Sequence, residues 1–223
     1  MKRTKLHDRQ LPNYTRGEEI FNSVSHIVGA AFGVIALTAC LVISILHENT
    51  WGLVGSIVYG VSLIVLYTIS SVYHGLPKNM GKKVMQVIDH CAVYLLIAGT
   101  YTPILFTAVR AVSPTWCWVL FAIVWGLTII ATVFTAIDLK RYSVLSMICY
   151  IGMGWSIVLT GNTIIEALPL PGLLWLLAGG ISYTVGAVLY GIGKKRRWMH
   201  SVFHLFVVAG SILQFICIIF YVL

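Results

Sequence analysis

The chain has 223 residues, of which 59% are hydrophobic and only 10% are charged, and its formal net charge is +8. About a quarter of the residues of a soluble domain are charged, so this composition excludes an ordinary soluble protein and favours a membrane protein. Seven apolar stretches, each long enough to cross a ~30 Å hydrocarbon core as a helix, predict an all-α, seven-transmembrane helix bundle. The predicted spans are 24–46, 51–74, 84–110, 115–137, 142–165, 171–193 and 198–223.

The ends of the spans carry the information on orientation. Residues 1–23 are polar and lack a cleavage-site pattern, so we expect a cytoplasmic tail there, ahead of a membrane domain at 24–223. All of the 15 Lys and Arg residues except Arg110 fall in this tail or in the loops after spans 2, 4 and 6. The positive-inside rule then predicts a cytoplasmic N-terminus and an extracytoplasmic C-terminus. The same topology explains the net charge, so we expect membrane lipids and no nucleic acid as partners.

Polar side chains inside the spans are the candidates for function, because charged and metal-binding groups are costly in a bilayer. In the predicted topology, the start of span 1, the end of span 2 and the starts of spans 3 and 7 share one side of the membrane. Each carries a polar cluster, which favours one site in the cytoplasmic leaflet. The clusters are Glu19, Asn22 and His26; Ser70 and His74; Asp89 and His90; and His200 and His204.

The pair His200 and His204 predicts a metal site. Residues four apart share a helix face, and this spacing is familiar from helical zinc sites. A catalytic zinc usually has three protein ligands and one water, so the third ligand should come from another helix at the same depth. We favour His74 as that ligand, because it lies one turn from Ser70 on the same face. The other candidates are His26, His90 and Asp89.

The remaining polar residues are assigned roles around the metal. Asp89 could bind zinc directly, hold a water or act as a general base, and the Ser70 hydroxyl could contact the water or orient an imidazole. His90 lies about 100° around a regular helix from Asp89, so we do not expect it to share the task of Asp89 and we favour a role as a core or interface histidine. Supporting or structural roles are predicted for Glu19, Asn22, His26 and Tyr101.

Five short motifs occur in order along the chain: "EEIFNSVSH" (18–26), "SSVYH" (70–74), "IDH" (88–90), "GTYTP" (99–103) and "HSVFH" (200–204). With these motifs the chain closely resembles the hemolysin III family of bacterial membrane proteins, within the progestin and adipoQ receptor superfamily that includes the adiponectin receptors. The resemblance implies a bacterial plasma-membrane protein that holds Zn²⁺ with His74, His200 and His204. It also implies a bound water near Ser70 and Asp89.

Three functions fit this sequence. The first is an intramembrane zinc-dependent hydrolase, acting on a lipid amide or ester that enters from the cytoplasmic leaflet and thereby affecting lipid homeostasis. Its family-level analogy is a ceramidase. The second is a non-enzymatic regulator of membrane energetics or fluidity with a structural zinc. The third, a pore-forming cytolysin, is disfavoured because the polar residues do not continue through the outer half of the bilayer.

Overall fold

The computed structural model describes residues 4–193 and 196–223, which form an all-α membrane bundle. Within these residues, six helices are long and apolar enough to cross a membrane, and they match six of the seven predicted spans. The basic residues Lys2, Arg3, Lys194 and Lys195, which contribute to the predicted orientation, lie outside the described residues. The six long helices are α1 (Arg16–Leu46), α2 (Thr50–Gly75), α3 (Met80–Ile104), α4 (Pro114–Ile137), α6 (Leu170–Gly193) and α7 (Met199–Tyr221), and the shorter α5 is Ser143–Gly154.

The fifth predicted span, 142–165, is not the single continuous helix that its hydropathy predicts. The helix α5 has 12 residues, about 18 Å of length, and is followed by a 3-10 turn (Ser156–Thr160) and a short helix (Asn162–Ala167). Tyr101 bridges the first break, since its hydroxyl donates to the carbonyl oxygen of Gly154 (2.8 Å) and accepts from the N–H of Ile157 (3.0 Å). These two bonds from α3 satisfy the carbonyl of Gly154 and the N–H of Ile157, which the break frees, so neither group needs water. A broken helix can therefore persist at this position.

The first helix begins at Arg16, eight residues before the predicted start of span 1. A capping box explains the earlier start: the Thr15 hydroxyl accepts from the backbone N–H of Glu18, and the Glu18 carboxylate accepts from the backbone N–H of Thr15. A second Glu18 oxygen accepts from the backbone N–H of Trp198 at 2.6 Å, which ties the start of α1 to the start of α7. Glu19 and Asn22 therefore lie in the first turns of a helix.

One end of the bundle, which we call the site end, collects the polar helix ends: the starts of α1, α3 and α7 and the end of α2. The N-terminal segment 4–15 lies across this end. The backbone N–H of Thr4 donates to a carboxylate oxygen of Asp138 after α4 (2.7 Å), and Lys78 after α2 donates to the side-chain oxygen of Asn13 (3.0 Å). The segment thus covers the site end of the bundle.

Close packing of α2 against α3 depends on Gly55. A Cβ atom there would lie 2.6 Å from the backbone Cα of Pro103, which cannot move aside as a flexible side chain could. We expect Gly55→Ala to lower the free energy of unfolding by about 1–3 kcal/mol, the usual cost of overpacking. Gly126→Ala is the matched control, because its new Cβ would meet nothing within 4 Å. Thermal unfolding in detergent measures both, and equal midpoints for the two variants would contradict the prediction.

Candidate metal centre

Three imidazoles from two helices converge at the site end. The Nε2 atom of His200 lies 3.2 Å from Nε2 of His74 and 3.1 Å from Nε2 of His204. His74 is the second-last residue of α2, and His200 and His204 occupy the first two turns of α7. His74 and His204 are buried, and His200 is partly buried. The topology therefore brings the predicted pair and the favoured third histidine together.

The geometry of the three nitrogens fits a metal ion. Zinc–imidazole bonds of about 2.0–2.1 Å in a tetrahedral site place the ligand nitrogens roughly 3.3 Å apart, close to the distances found between these Nε2 atoms. One ligand atom from each of the three histidines lies within 4.8 Å of the others. Asp89 does not belong to this group among the described residues. The cluster can hold a metal ion with three nitrogen ligands.

His74 is oriented by a partly buried ion pair, of which the sequence predicted only Glu19. Its Nδ1 atom lies 2.7 Å from a carboxylate oxygen of Glu19, which fixes the proton on Nδ1 and leaves Nε2 free to bind a metal. The other Glu19 oxygen lies 2.7 Å from Nζ of Lys82, a side chain that is only 2% exposed. Lys82 also donates to the backbone carbonyl oxygens of His74 (3.3 Å) and Leu76 (2.9 Å). These contacts therefore fix both the His74 side chain and the backbone at the end of α2.

Asn22 and His26 lie on the inner face of α1, one and two turns beyond Glu19. The Asn22 amide nitrogen is 3.5 Å from Nδ1 of His74, too long for a strong hydrogen bond. The His26 ring stacks on the His204 ring, with a centroid separation of 3.8 Å and an interplanar angle of 17°. His26 also meets the edge of Tyr67. It supports the ring of a candidate ligand and does not itself join the cluster of ligand nitrogens.

Tyr14 covers the cluster from the N-terminal segment, and sequence reasoning missed it. Its ring stacks on His200, with centroids 4.9 Å apart and an interplanar angle of 12°, and it lies 5.8 Å from the His74 ring. Burial raises the pKa of the Tyr14 phenol well above its usual range, so it faces the histidines as a neutral group. A lone aromatic residue just before a capping box was the only signal in the sequence.

A cavity of about 150 Å³ opens beside the cluster, roughly ten times the space that one water needs. Asp89 and Ser70 line it together with His200 and His204, and so does Tyr101 farther along α3. Most of the remaining wall is apolar, and it comes from α3, α5, α6 and α7: Val93, Leu96, Ile97, Met147, Ile151, Ala187, Phe203 and Val207.

His90, predicted to be a core or interface histidine, also lines this cavity. Its Nδ1 atom lies 2.8 Å from the carbonyl oxygen of Gln86 and 3.7 Å from a carboxylate oxygen of Asp89. The cavity is wide enough to touch both of these neighbouring helix positions. The angle around the helix between Asp89 and His90 therefore does not keep either side chain out of the cavity.

Comparisons with known proteins show what this chain is similar to. The chain is 39% identical to Hemolysin-3 of Bacillus cereus over 92% of each chain. It is 35% identical to a Hemolysin-3 homolog of Bacillus subtilis (strain 168), over 93% of this chain and 96% of that protein. The human Monocyte to macrophage differentiation factor is 24% identical over 83% of this chain and 77% of its own. A family described as Haemolysin-III related matches residues 14–215, and the chain belongs to this family of membrane proteins.

Proposed function

We propose that the protein is a zinc-dependent intramembrane hydrolase that cleaves an amide or ester bond of a membrane lipid. The observation that supports this most strongly is the shared cavity, in which a carboxylate and a hydroxyl face the same space as two histidines of the metal cluster. A closed structural zinc site would use a fourth protein ligand, and Asp89 stays outside the cluster. The apolar wall suits an acyl chain rather than a polar solute.

Each residue of the site would have one role in the hydrolysis. Zinc held by His74, His200 and His204 would act as a Lewis acid and make water more acidic. Asp89 would accept the proton that this water releases as its oxygen bonds to the carbonyl carbon. The same carboxyl would return the proton to the leaving nitrogen or oxygen as the scissile bond breaks. The Ser70 hydroxyl would hold the water or the carbonyl oxygen in place.

The position of this chemistry in the membrane follows from the predicted orientation. With a cytoplasmic N-terminus, the site end lies in the cytoplasmic leaflet, and a lipid would reach the cavity sideways between helices. This orientation rests on the distribution of Lys and Arg and on the positive-inside rule. Reporter fusions to the two termini would test it, since it predicts an N-terminal reporter in the cytoplasm and a C-terminal one outside.

Asp89→Asn separates catalysis from metal binding. Loss of a general base typically costs 10²–10⁴ in rate, so we expect at least a roughly hundredfold slower release of fatty acid with about the wild-type metal content. The assay uses zinc-loaded full-length protein in lipid–detergent micelles. A ceramide is the amide probe and a diacyl phosphatidylglycerol the ester probe, and mass spectrometry detects the fatty acid. Glu166→Gln, an exposed carboxylate far along the chain, is the control.

Two results would contradict the hydrolase. If Asp89→Asn loses the metal, Asp89 is a metal ligand, and a closed, structural site is the better interpretation. If the metal-loaded wild-type protein releases fatty acid from neither probe, the regulator with a structural metal becomes the better account of the same three histidines.

A further inference from the structure

A second pocket, lined mainly by polar and charged residues, lies at the site end. It is formed by other residues than those that line the cavity beside the histidines. Its walls come from the N-terminal segment, from the turn between α2 and α3 and from the first turn of α3: Arg9, Gln10, Leu11, Asn13, Lys78, Asn79, Met80 and Lys83. None of these residues lines the cavity beside the metal cluster. Three of the eight are cationic and none is acidic, so the pocket has a strongly positive wall.

Arg9 is the unusual member of this wall. It is only 7% exposed, and its Nε and Nη1 atoms are buried without a hydrogen-bond partner among the described residues. Only Nη2 has a partner there, the carbonyl oxygen of Ile137 at a long 3.5 Å. A buried guanidinium with unmet donors is costly, because a charge removed from water needs both a counter-charge and hydrogen bonds.

The neighbouring carboxylates form no direct ion pair with Arg9. Asp138 lies near enough to feel the Arg9 charge, but its oxygens accept from the backbone N–H groups of Thr4, Lys140 and Arg141. Asp8 pairs with His7 at the surface. Across residues 4–193 and 196–223, no carboxylate lies within ion-pair distance of Arg9.

We propose that this pocket binds a phosphate group, with Arg9 as its buried anchor and Lys78 and Lys83 at its rim. A guanidinium with free donors matches phosphate oxygens in a fork, and two lysines add charge. The pocket also borders the N-terminus of α3, whose helix dipole favours an anion. The phosphate is either the headgroup of an anionic lipid or a free ion, and both share this chemistry.

Occupancy of this pocket would have a mechanical consequence. Arg9 and Asn13 belong to the same segment as Tyr14, which stacks on His200. A phosphate bridging that segment to Lys78 and Lys83 would hold the segment, and with it the Tyr14 ring, against the metal cluster.

The test uses the full chain in nanodiscs and two probes. One arm places the protein in phosphatidylcholine with phosphatidylglycerol and counts retained phosphatidylglycerol by native mass spectrometry. The other uses phosphatidylcholine alone and titrates inorganic phosphate by calorimetry. Arg9→Gln is compared with Lys140→Gln, which removes the same charge from an exposed position on the loop after α4. A double variant, Lys78→Gln with Lys83→Gln, leaves Arg9 in place and is compared with Lys5→Gln plus Lys140→Gln.

We expect the wild type to bind at least one probe and Arg9→Gln to bind it roughly tenfold more weakly, the loss typical of one charge-assisted contact. The double lysine variant should also bind the probe more weakly than the wild type, and both controls should keep wild-type affinity. Retention of phosphatidylglycerol without phosphate binding identifies a lipid headgroup, whereas phosphate binding in neutral lipid identifies a free ion. The proposal is overturned if the wild type binds neither probe or if the controls lose as much affinity as their partners. If Arg9→Gln does not fold, the double lysine variant decides.

Discussion

His200→Ala is expected to purify without its metal. The Nε2 atom of His200 lies within 3.2 Å of both other ligand nitrogens, so it is the central member of the cluster. Two imidazoles on separate helices would remain, one fewer than the three protein ligands of an ordinary catalytic zinc site. Metal content by mass spectrometry after metal-replete purification should give about one equivalent for the wild type and close to none for His200→Ala. His74→Ala and His204→Ala should behave in the same way.

Two control histidines make this measurement specific. His47 is exposed just after α1, where its Nδ1 atom lies 2.9 Å from the carbonyl oxygen of Leu223, so His47→Ala should keep the metal. His90 lines the cavity without joining the cluster, and His90→Ala should also keep it. Wild-type protein free of metal, or equal metal loss in all five variants, would refute the metal centre. The same spectra identify the ion, which three imidazoles alone do not select, because imidazole suits zinc, copper, iron and nickel.

Glu19→Gln is expected to weaken metal binding by roughly 10–100-fold, the usual effect of removing a partner that orients a ligand histidine. The neutral amide holds the proton on Nδ1 of His74 less firmly than the carboxylate does, because its oxygen is a weaker hydrogen-bond acceptor. The same change leaves the buried Lys82 ammonium without its counter-charge. We therefore also expect a loss of about 3 kcal/mol in the free energy of unfolding. A chelator-competition titration measures the affinity, and thermal unfolding measures the stability.

A double variant separates these two effects of Glu19. Glu19→Gln combined with Lys82→Met removes both charges, so most of the stability should return while the metal affinity stays low. Glu166→Gln, an exposed carboxylate, is the control and should change neither quantity. Wild-type affinity in Glu19→Gln would show that the contact between Glu19 and His74 does not support the metal centre.

The long helices could be predicted from the sequence because their signal is local. Each of six apolar stretches has the length that a membrane requires, and each forms one helix. The prediction that the fifth stretch forms one continuous helix was wrong. Hydropathy does not register how the glycines and serines near Gly154 and Gly161 weaken a helix. Whether such a helix breaks depends on a partner for the freed backbone groups. That partner is Tyr101, more than 50 residues earlier in the chain.

The two lysines at the start of α3 show a second limit. Lys82 and Lys83 are adjacent and chemically identical, and both were predicted to lie in the loop after span 2. The rotation of α3 places Lys82 inside the bundle beside Glu19, whereas Lys83 reaches the carbonyl oxygen of His7 in the N-terminal segment. Only the rotation of a helix against its neighbours distinguishes them.

By itself, the sequence determined the membrane class, the all-α bundle and the placement of His200 and His204 on one helix face. These follow from hydrophobic length and from i, i+4 spacing, which are fixed by helix geometry alone. The tertiary structure alone decided what surrounds the histidines: the stacking of Tyr14 and His26 on them, the burial of Lys82 and the cavity that Asp89 shares with His90. These contacts join residues far apart in the chain, and their formation depends on helix rotation and side-chain packing, which no local pattern encodes.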